Sequence, residues 1–363
     1  MPKMYEIAVL PGDGIGKDVM AQAIKALLKV GRRFGHSFQL TEYDVGGASI
    51  EKYGEPLTSE VISECKRSDA VLLGAVGGPT WDHLPLESRP EYGLLLLRKQ
   101  LGCFANLRPI KHYPCLEKKT PLKRDILDRG VDLIVCRELM NGLYYGDRGF
   151  RTSTHGEREA FDTAVYSESA VRQIAHVAFR IARNRRRKVT SLDKSNILAT
   201  SRLWRDIVTD VAAEYSDCTL EHQIIDTASM QIILNPSRYD VVLVNNEYGD
   251  IISEEASVLM TSHAMIPSAS TGETGPSLFE PIHGSAPDIA GNDIANPIGA
   301  ILTVALLLRH GFSLRTEAKA LEAAVELALA HGYRTQDIST KGDSVVSTDE
   351  MGDRIIEYLA DAA

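Results

Sequence analysis

The sequence is dominated by short apolar runs that alternate with amphipathic stretches. The apolar runs are AVLLGAVGG (70–78), DLIVCREL (132–139), KVTSLD (188–193), LEHQIID (220–226) and DVVLVNN (240–246). The stretches between them carry apolar residues at helical spacing, as in SESAVRQIAHVAFRIARNRR, SRLWRDIVTDVAAEY and NPIGAILTVALLLRHG. Such alternation is typical of an α/β fold, in which helices cover a sheet. No repeat or Pro/Ser-rich linker is evident, so two domains would have to share strands or be discontinuous in sequence.

A glycine-rich segment, VLPGDGIGKDV (9–19), separates the apolar run YEIAVL from a helical pattern. A P-loop needs four residues between its first glycine and the Gly-Lys pair, followed by Ser or Thr. Here three residues separate Gly12 from Gly16, and Asp18 follows the lysine. A dinucleotide fingerprint needs two residues before its third glycine, whereas only one separates Gly14 from Gly16. The segment therefore predicts a strand-to-helix turn without a phosphate fingerprint.

Composition excludes several classes of protein. The chain has 363 residues, 44% of them hydrophobic, which suffices for two domains or one large α/β unit. A formal net charge of −9 argues against nucleic-acid and anionic-membrane partners. The basic run RNRRRK (183–188) is interpreted as a solvated helix end. No apolar span reaches 18 residues and no signal-peptide pattern opens the chain, so we expect a cytoplasmic protein.

The five cysteines are odd in number and none forms a CxxC pair. This pattern indicates reduced thiols with mostly structural roles.

Two carboxylates in NNEYGDIISEEAS indicate a metal site. We place Gly249 at a strand-to-helix turn, and Asp250 and Glu254 four residues apart on one face of the helix that follows. Paired oxygen donors suit Mg²⁺ or Mn²⁺, and Asp226, at the end of LEHQIID, is a candidate third ligand. The alternative is that Asp250 caps the helix and Glu254 is a solvated first-turn acid.

Three arginines lie at positions suited to a substrate with several carboxylates. Arg98 is near the end of an apolar helix, Arg108 lies in the extended segment beyond it, and Arg137 is at a strand end. A guanidinium binds a carboxylate through two parallel hydrogen bonds, although each arginine could instead form a surface ion pair. Tyr144 is a candidate proton donor or a core side chain, and Lys194, at a strand end, is a candidate base.

Nine segments, taken together, resemble the β-decarboxylating dehydrogenases, the isocitrate/isopropylmalate family, along nearly the whole chain. The segments are LPGDGIG, GAVGGPTWDHLP, GLLLLRKQLGCFANLRPIK, CRELMNGLYYG, DKSNIL, GDIISEEAS, PSAS, EPIHGSAPDIAGNDIANP and VSTDEMGD. The similarity is greatest to the isopropylmalate branch. It implies an α/β fold of two domains in which a sheet is flanked by helices, with an NAD site unlike the Rossmann domain. One domain would comprise 1–103 and 261–363, and the other 104–260, with the active site in the cleft between them.

The resemblance also implies a reaction. A 3-alkylmalate, 3-isopropylmalate, would lose a hydride from C2 to NAD⁺ and then CO₂, giving 4-methyl-2-oxopentanoate in leucine biosynthesis. Mg²⁺ or Mn²⁺ would be held by Asp226, Asp250 and Glu254, and the substrate carboxylates by Arg98, Arg108 and Arg137. Lys194 would receive the hydroxyl proton and Tyr144 would help protonate the enol carbon. Because Lys194 and Asp226 reach across from a partner subunit in this family, a homodimer with shared active sites is implied.

The family's cofactor positions match Ile15, Gly77, Gly78, Asn196, His283, Gly284, Ser285, Ala286, Asp288, Ile289 and Asn296. Asp288 favours NAD over NADP, because an acid accepts from the ribose 2′-hydroxyl and repels a 2′-phosphate. Ahead of Arg98, Glu91, Leu94 and Leu95 offer an apolar wall that fits a branched alkyl group better than a charge.

The chain also departs from the family pattern. It has Glu254 where Asp is usual, Met140-Asn141 where Thr-Gly is usual, and Lys17-Asp18 where Pro-Glu is usual. Two alternatives follow: a paralogue that acts on another 3-substituted malate, and a non-catalytic nucleotide- or partner-binding relative. Turnover of NAD⁺ with any 3-alkylmalate discriminates the enzyme from the binding protein.

Overall fold

The computed structural model describes residues 3–361, and its described part divides into two compact units. Unit 1 contains the described residues up to Cys103, the segment His112–Pro121, and the residues from Met260 onward. Unit 2 contains Phe104–Lys111 and Leu122–Leu259. Both units are discontinuous in sequence, and each mixes strands with helices, as the alternating pattern predicts.

The strands are β1 (Met4–Gly12), β2 (Ser37–Glu42), β3 (Ala70–Ala75), β4 (Ala105–Lys111), β5 (Asp132–Glu138), β6 (Arg148–Thr152), β7 (Arg158–Asp162), β8 (Lys188–Asp193), β9 (Thr219–Ile224), β10 (Val241–Val244), β11 (Pro267–Thr271), β12 (Ser277–Pro281), β13 (Tyr333–Arg334) and β14 (Ser344–Val345). The α-helices are α1 (Gly16–Phe34), α2 (Gly47–Tyr53), α3 (Ser59–Arg67), α4 (Pro90–Gln100), α5 (Arg124–Leu127), α6 (Glu168–Arg183), α7 (Ala199–Ala212), α8 (Ile225–Leu234), α9 (Asn246–Ala256), α10 (Ile298–Leu306), α11 (Arg315–Ala330) and α12 (Thr348–Asp361).

In unit 1 the strand order is β2-β1-β3-β12-β11. β1 lies parallel to β2 and β3, β12 lies parallel to β3, and β11 runs antiparallel to β12. β3 is buried at every position, as expected for a strand covered on both faces. The long helices α1, α10, α11 and α12 pack against one another beside this sheet.

In unit 2 the strand order is β4-β5-β10-β8-β9. β4 runs antiparallel to β5, and the remaining neighbours are parallel. The strands β6 and β7 form a separate antiparallel pair. The C-terminal ends of the parallel strands β5, β8, β9 and β10 lie at one edge, which is where α/β folds place chemically active residues.

Each of the five apolar runs contains a strand, but two local predictions are wrong. β9 ends at Ile224, so Asp226 lies in the first turn of α8 and not at the end of a strand. α9 begins at Asn246, because the Asn245 side chain accepts a hydrogen bond from the Tyr248 N–H and caps the helix. Gly249 is therefore inside the helix, and Asp250 is not its cap.

The basic run RNRRRK begins at the end of α6 and is held by ion pairs. Arg183 donates to Asp217, and Arg185 donates to Asp132 and to the buried Asp240.

The five cysteines are all free thiols, three of them buried. Among the described residues, no helix combines the length and apolar character needed to cross a bilayer.

Candidate functional site

Arg137 and Asp250 lie at the centre of a polar network in unit 2. Arg137 Nη1 donates to Asp250 Oδ1 at 2.5 Å, and its Nε and Nη2 donate to Asn246 Oδ1 at 3.1 and 2.8 Å. The guanidinium is almost fully buried, while the Asp250 side chain is 36% exposed. The network thus fixes a buried positive charge beside a carboxylate that solvent can reach.

Gly249 explains how Arg137 can lie so close to α9. A Cβ atom at this position would stand 2.6 Å from Arg137 Cγ and 3.0 Å from Arg137 Cβ. Both contacts are shorter than van der Waals packing allows, so a side chain here would displace Arg137. The glycine that the sequence placed in a turn thus permits the approach of an arginine to a helix.

Arg108 joins the same network from β4. Its Nη1 donates to Ser253 Oγ at 2.6 Å and its Nε donates to Asn106 Oδ1 at 2.8 Å. Arg108 also lies 3.4 Å from Asp250 and 3.5 Å from Glu254. Two of the three predicted substrate arginines therefore pair with Asp250, and Arg108 also pairs with Glu254.

Tyr144 completes this group. Its hydroxyl donates to Asp250 Oδ2 at 3.2 Å, and the ring lies under the Arg137 guanidinium. Partial burial, followed by the nearby Asp250 charge, raises the pKa of Tyr144. The phenol is therefore held in its protonated form and can act as a proton donor.

Asp250 and Glu254 fit a divalent cation by chemistry, because both are hard oxygen donors one turn apart with side chains 36% and 47% exposed. Asp226 does not join them. Among residues 3–361, no group of three or more His, Cys, Asp or Glu side chains is arranged to hold a metal. A three-carboxylate site of the predicted composition is therefore not formed within a single chain.

Lys194 and Asp226 instead form a pair of their own. The Lys194 ammonium donates to Asp226 Oδ2, and this hydrogen bond lowers the pKa of the carboxyl group. Within the described part of the chain, neither residue makes an ion pair with Asp250 or Glu254. Buried Asp193 orients the segment around Lys194 by accepting from the Ser195 N–H and from Arg205. Asn196 is exposed beside them.

In unit 1, Arg98 donates from Nη2 to Glu280 Oε1 at 2.6 Å, and both side chains are largely buried. Glu280 was not predicted as a site residue, although it opens the segment EPIHGSAPD and lies near the end of β12. Arg98 shares one face of α4 with Glu91, Leu94 and Leu95, which precede it by seven, four and three residues. Leu94 packs against the hydrophobic core, so only part of the predicted apolar wall is free to face a ligand.

Glu91 also approaches the loop after β3. A Cβ atom on Gly77 would lie 2.4 Å from Glu91 Oε1, and Gly77 and Gly78 have φ values of +110° and +153°. A side chain at position 77 would therefore collide with Glu91, and glycine lets Glu91 approach the backbone of this loop.

The residues 283–296, here called the adenosine loop, contain seven of the predicted cofactor positions. His283 is buried, and its Nδ1 bonds to the Gly284 carbonyl at 2.8 Å. Because a carbonyl only accepts, Nδ1 carries the proton, and Nε2 is left as a buried acceptor with no hydrogen-bond partner among residues 3–361. Burial lowers the pKa of His283, which keeps the ring neutral. An N–H or O–H group of a bound nucleoside could donate a hydrogen bond to Nε2. The loop therefore fits the adenosine part of NAD.

The other predicted cofactor residues of the adenosine loop differ in whether their side chains are exposed and free to contact a ligand. Asp288 is exposed, Ser285 is buried, and Ala286 has a φ of +35°. Asn296 is buried and already engaged, since it donates to Asp337 and accepts from the Ile298 N–H, each at 3.0 Å. Asn296 therefore shapes the loop whether or not it contacts a ligand.

Comparison with known proteins identifies the family of the chain. A profile of the family described as isocitrate/isopropylmalate dehydrogenase matches residues 6–355. The chain is 51% identical over 357 residues to the 3-isopropylmalate dehydrogenase of Geobacillus kaustophilus, covering 98% of this chain and 96% of the relative. It is 52% identical over 353 residues to that of Nitratidesulfovibrio vulgaris, covering 97% and 99%.

Solved structures give the same result. The isocitrate dehydrogenase of Methylococcus capsulatus superposes with a TM-score of 0.86 at 31% identity, covering 98% of this chain and 99% of that one. A β-decarboxylating dehydrogenase from Thermococcus kodakarensis superposes with a TM-score of 0.81 at 34% identity, covering 99% and 97%. The matches span nearly the whole chain in both sequence and fold, and the protein belongs to the isocitrate/isopropylmalate dehydrogenase family.

Proposed function

We propose that this protein oxidises 3-isopropylmalate with NAD⁺ and decarboxylates the product to 4-methyl-2-oxopentanoate, a step of leucine biosynthesis. The observation that carries the proposal is identity of about half over nearly the full length to relatives named 3-isopropylmalate dehydrogenase. The isocitrate dehydrogenase with a similar fold is only 31% identical. Leu95, which is partly exposed beside Arg98, favours a branched alkyl substituent over a charged one.

The proposed cofactors are NAD and Mg²⁺ or Mn²⁺. When bound, NAD⁺ accepts the hydride, and the cation supplies a Lewis acid that polarises the substrate hydroxyl and carboxylate oxygens. Asp250 and Glu254 would hold the cation, with Asp226 supplied by a partner subunit. The adenosine loop would hold the nucleotide, with Ile15, Gly77, Gly78 and Asn196 as further contacts, and exposed Asp288 would select NAD over NADP.

Arg98, Arg108 and Arg137 would bind the substrate carboxylates. In the free protein each guanidinium is already paired with an acid: Arg98 with Glu280, and the other two with Asp250. A substrate carboxylate would share these donors with the resident acids, and the existing hydrogen bonds hold the guanidinium planes in position beforehand. Binding would therefore require little reordering of the arginine side chains.

Proton transfer is assigned to Tyr144 and Lys194. Tyr144 keeps its proton in the free protein and would deliver it to the carbon left by CO₂. Lys194, in its neutral amine form, would receive the proton of the C2 hydroxyl at Nζ and so become the ammonium. Since Lys194 pairs with Asp226, and not with the Asp250 network, these two residues would serve the site of a second chain.

A homodimer accounts for that division, and the surface of unit 2 supports it. Met230 and Leu234 lie four residues apart on α8 and are about half exposed. Ile251 and Val258 lie seven residues apart, in and just after α9, and are 59% and 37% exposed. Apolar residues on one face of each of two packed helices are typical of a buried oligomer interface.

The free thiols are consistent with a reducing compartment such as the cytoplasm.

The test is NADH appearance at 340 nm with purified protein, NAD⁺ and Mg²⁺ or Mn²⁺. We expect 3-isopropylmalate to be preferred over 3-benzylmalate, malate, tartrate and isocitrate, and chelation to abolish turnover. Activity with only another substituted malate would move the enzyme to a paralogous reaction. No turnover with any of these acids, from protein that is folded and loaded with metal, would overturn the enzymatic proposal.

A further inference from the structure

The turn between β1 and α1 contacts the adenosine loop at two points. The Ile15 N–H donates to the Ser285 carbonyl at 2.7 Å, near the beginning of the loop. Asp18, in the first turn of α1, accepts from the Gly291 N–H at 2.8 Å, near its far end. Asp288 and Ile289 lie between these two attachments, so the turn spans the part of the loop that is predicted to contact the nucleotide.

The first attachment requires glycine at position 14. Gly14 has a φ of +53°, and a Cβ atom there would lie 2.0 Å from the Ser285 carbonyl oxygen. Any larger residue would push the adenosine loop away. Gly14 belongs to a segment that matches neither phosphate-binding fingerprint. Its role is to let the backbone of the β1–α1 turn contact the backbone of the adenosine loop.

The turn is itself rigidly held, through Asp13. Its N–H donates to the Ala75 carbonyl at 2.7 Å. Its carboxylate, which is 5% exposed, accepts from the Gly47, Ala48 and Gly77 N–H groups at 2.8, 3.0 and 2.9 Å. Three backbone N–H groups satisfy the buried carboxylate of Asp13. The turn is therefore rigid, and it supports the adenosine loop that contacts it.

The end of the adenosine loop is held separately by α12. The Thr348 N–H donates to the Asp293 carbonyl at 3.0 Å, and the Thr348 hydroxyl donates to the Ala295 carbonyl at 2.7 Å. The segment 286–292 is therefore bounded on one side by Ser285 and on the other by Asp293. Asp18 is the α1 side chain that reaches into this segment, and it does so through the N–H of Gly291, whose φ is +71°.

We propose that Asp18 is a positioning residue for NAD, which holds segment 286–292 in its binding conformation without contacting the cofactor. The inference rests on the proposed function in that it takes NAD as the ligand. A loop ordered before binding has less conformational entropy to lose, so its ligand binds more tightly. A hydrogen bond from a backbone N–H to a carboxylate is also stronger than one between two neutral groups.

The first experiment needs no ligand. Amide hydrogen exchange in the free protein is compared for the natural chain, Asp18→Ala, Asp18→Glu and Glu60→Ala. Glu60 is the matched control, since it is an exposed first-turn acid of α3 in the same unit. We expect exchange in 286–292 to rise about tenfold or more in Asp18→Ala, and to stay near the natural rate in Asp18→Glu and in the control.

The second experiment measures binding. We expect the Kd for NADH and for AMP to rise about 3- to 10-fold in Asp18→Ala, the loss expected for one partly exposed charge-assisted bond. The kcat and the KM for 3-isopropylmalate should remain near the natural values. AMP is included because it reproduces the adenosine part of NAD, which is the part expected to lie against the adenosine loop.

The outcomes separate the two proposals. Unchanged exchange in Asp18→Ala overturns the positioning role, as does a fall in kcat without a change in NADH affinity. Failure of the natural chain to bind NADH overturns the proposed function and, with it, the choice of ligand, while the exchange rates still decide whether Asp18 holds the loop. If Asp18→Ala does not fold, Asp18→Asn replaces it, with a smaller rise in exchange and Kd expected because one acceptor oxygen remains.

Discussion

Arg137 Nη1 lies 2.5 Å from Asp250 Oδ1, and the two residues come from a strand end and a helix that are separated by more than a hundred positions in sequence. The arginine is buried and the aspartate faces solvent. The pair therefore presents an oriented positive charge and a reachable carboxylate side by side, as binding of a metal and an anionic substrate would require.

We expect Arg137→Lys to lower both stability and activity. Lysine keeps the charge but loses the planar fork that reaches Asn246 and Asp250 together. The free energy of unfolding in urea should fall by about 1–3 kcal/mol, and kcat/KM for 3-isopropylmalate should fall by about a hundredfold or more. Arg183→Lys is the control, because Arg183 pairs with Asp217 on the surface, where weakening an ion pair has little effect on stability. Equal effects of the two substitutions would contradict the role of Arg137.

Glu254 is expected to bind the metal despite being longer than the usual aspartate. Glu254→Gln should raise the Mn²⁺ concentration needed for half-saturation by about tenfold or more, measured by electron paramagnetic resonance of bound Mn²⁺. Glu255→Gln alters the neighbouring acid of the same helix and should leave Mn²⁺ binding unchanged. Unaltered Mn²⁺ affinity in Glu254→Gln would remove this residue from the metal site.

Shared active sites predict complementation between two inactive variants. Tyr144→Phe and Lys194→Ala should each lose nearly all activity alone. If Tyr144 and Lys194 of different chains serve one site, each mixed dimer contains one intact site. A randomised equal mixture should then recover about a quarter of the natural activity. A mixture that stays inactive after subunit exchange, confirmed by mass spectrometry of the dimers, would place both residues in a single-chain site.

Cofactor choice is expected to depend on Asp288. Asp288→Lys should lower the kcat/KM for NAD⁺ and raise that for NADP⁺, because it removes a repulsive charge and adds an attractive one for the 2′-phosphate. Glu60→Lys makes the same change in net charge elsewhere in unit 1 and should leave the ratio of the two kcat/KM values as it is. An unchanged preference in Asp288→Lys would show that another residue selects the cofactor.

His283 should make stability depend on pH. Its folded pKa is lowered by burial, so at pH values just below its ordinary pKa of about 6.5 the unfolded chain binds a proton that the folded chain does not. Stability should therefore fall as the pH drops below that value, by at most about 1.4 kcal/mol per pH unit from this residue.

The measurement is the free energy of unfolding of the free protein at several pH values from 5 to 8. His283→Asn should show a shallower dependence than the natural chain, whereas His83→Asn, which alters an exposed histidine, should match it. Parallel curves for the natural chain and His283→Asn would mean that folding leaves the pKa of His283 unchanged.

The sequence by itself determined the α/β class, because apolar runs and amphipathic stretches alternate with lengths that only strands and helices satisfy. It also determined the family, since nine segments match in order. Their matches assigned candidate roles to Arg98, Arg108, Arg137, Tyr144, Lys194 and the carboxylates as predictions. These signals are local or carried by motifs, and they do not depend on knowing which segments meet.

The tertiary structure decided what those residues touch. Only the packing of β5 against α9 shows that Gly249 makes room for Arg137, and only the fold pairs Lys194 with Asp226 apart from Asp250. The glycine turn gives the clearest case. Its spacing excludes a phosphate loop, but its contacts with Ser285 and Gly291 span 270 and 273 positions and leave no periodicity in the sequence. Each of these long-range hydrogen bonds has a backbone group of the adenosine loop as its partner, which leaves no side-chain pattern in the sequence, and so they become visible only once the chain is folded.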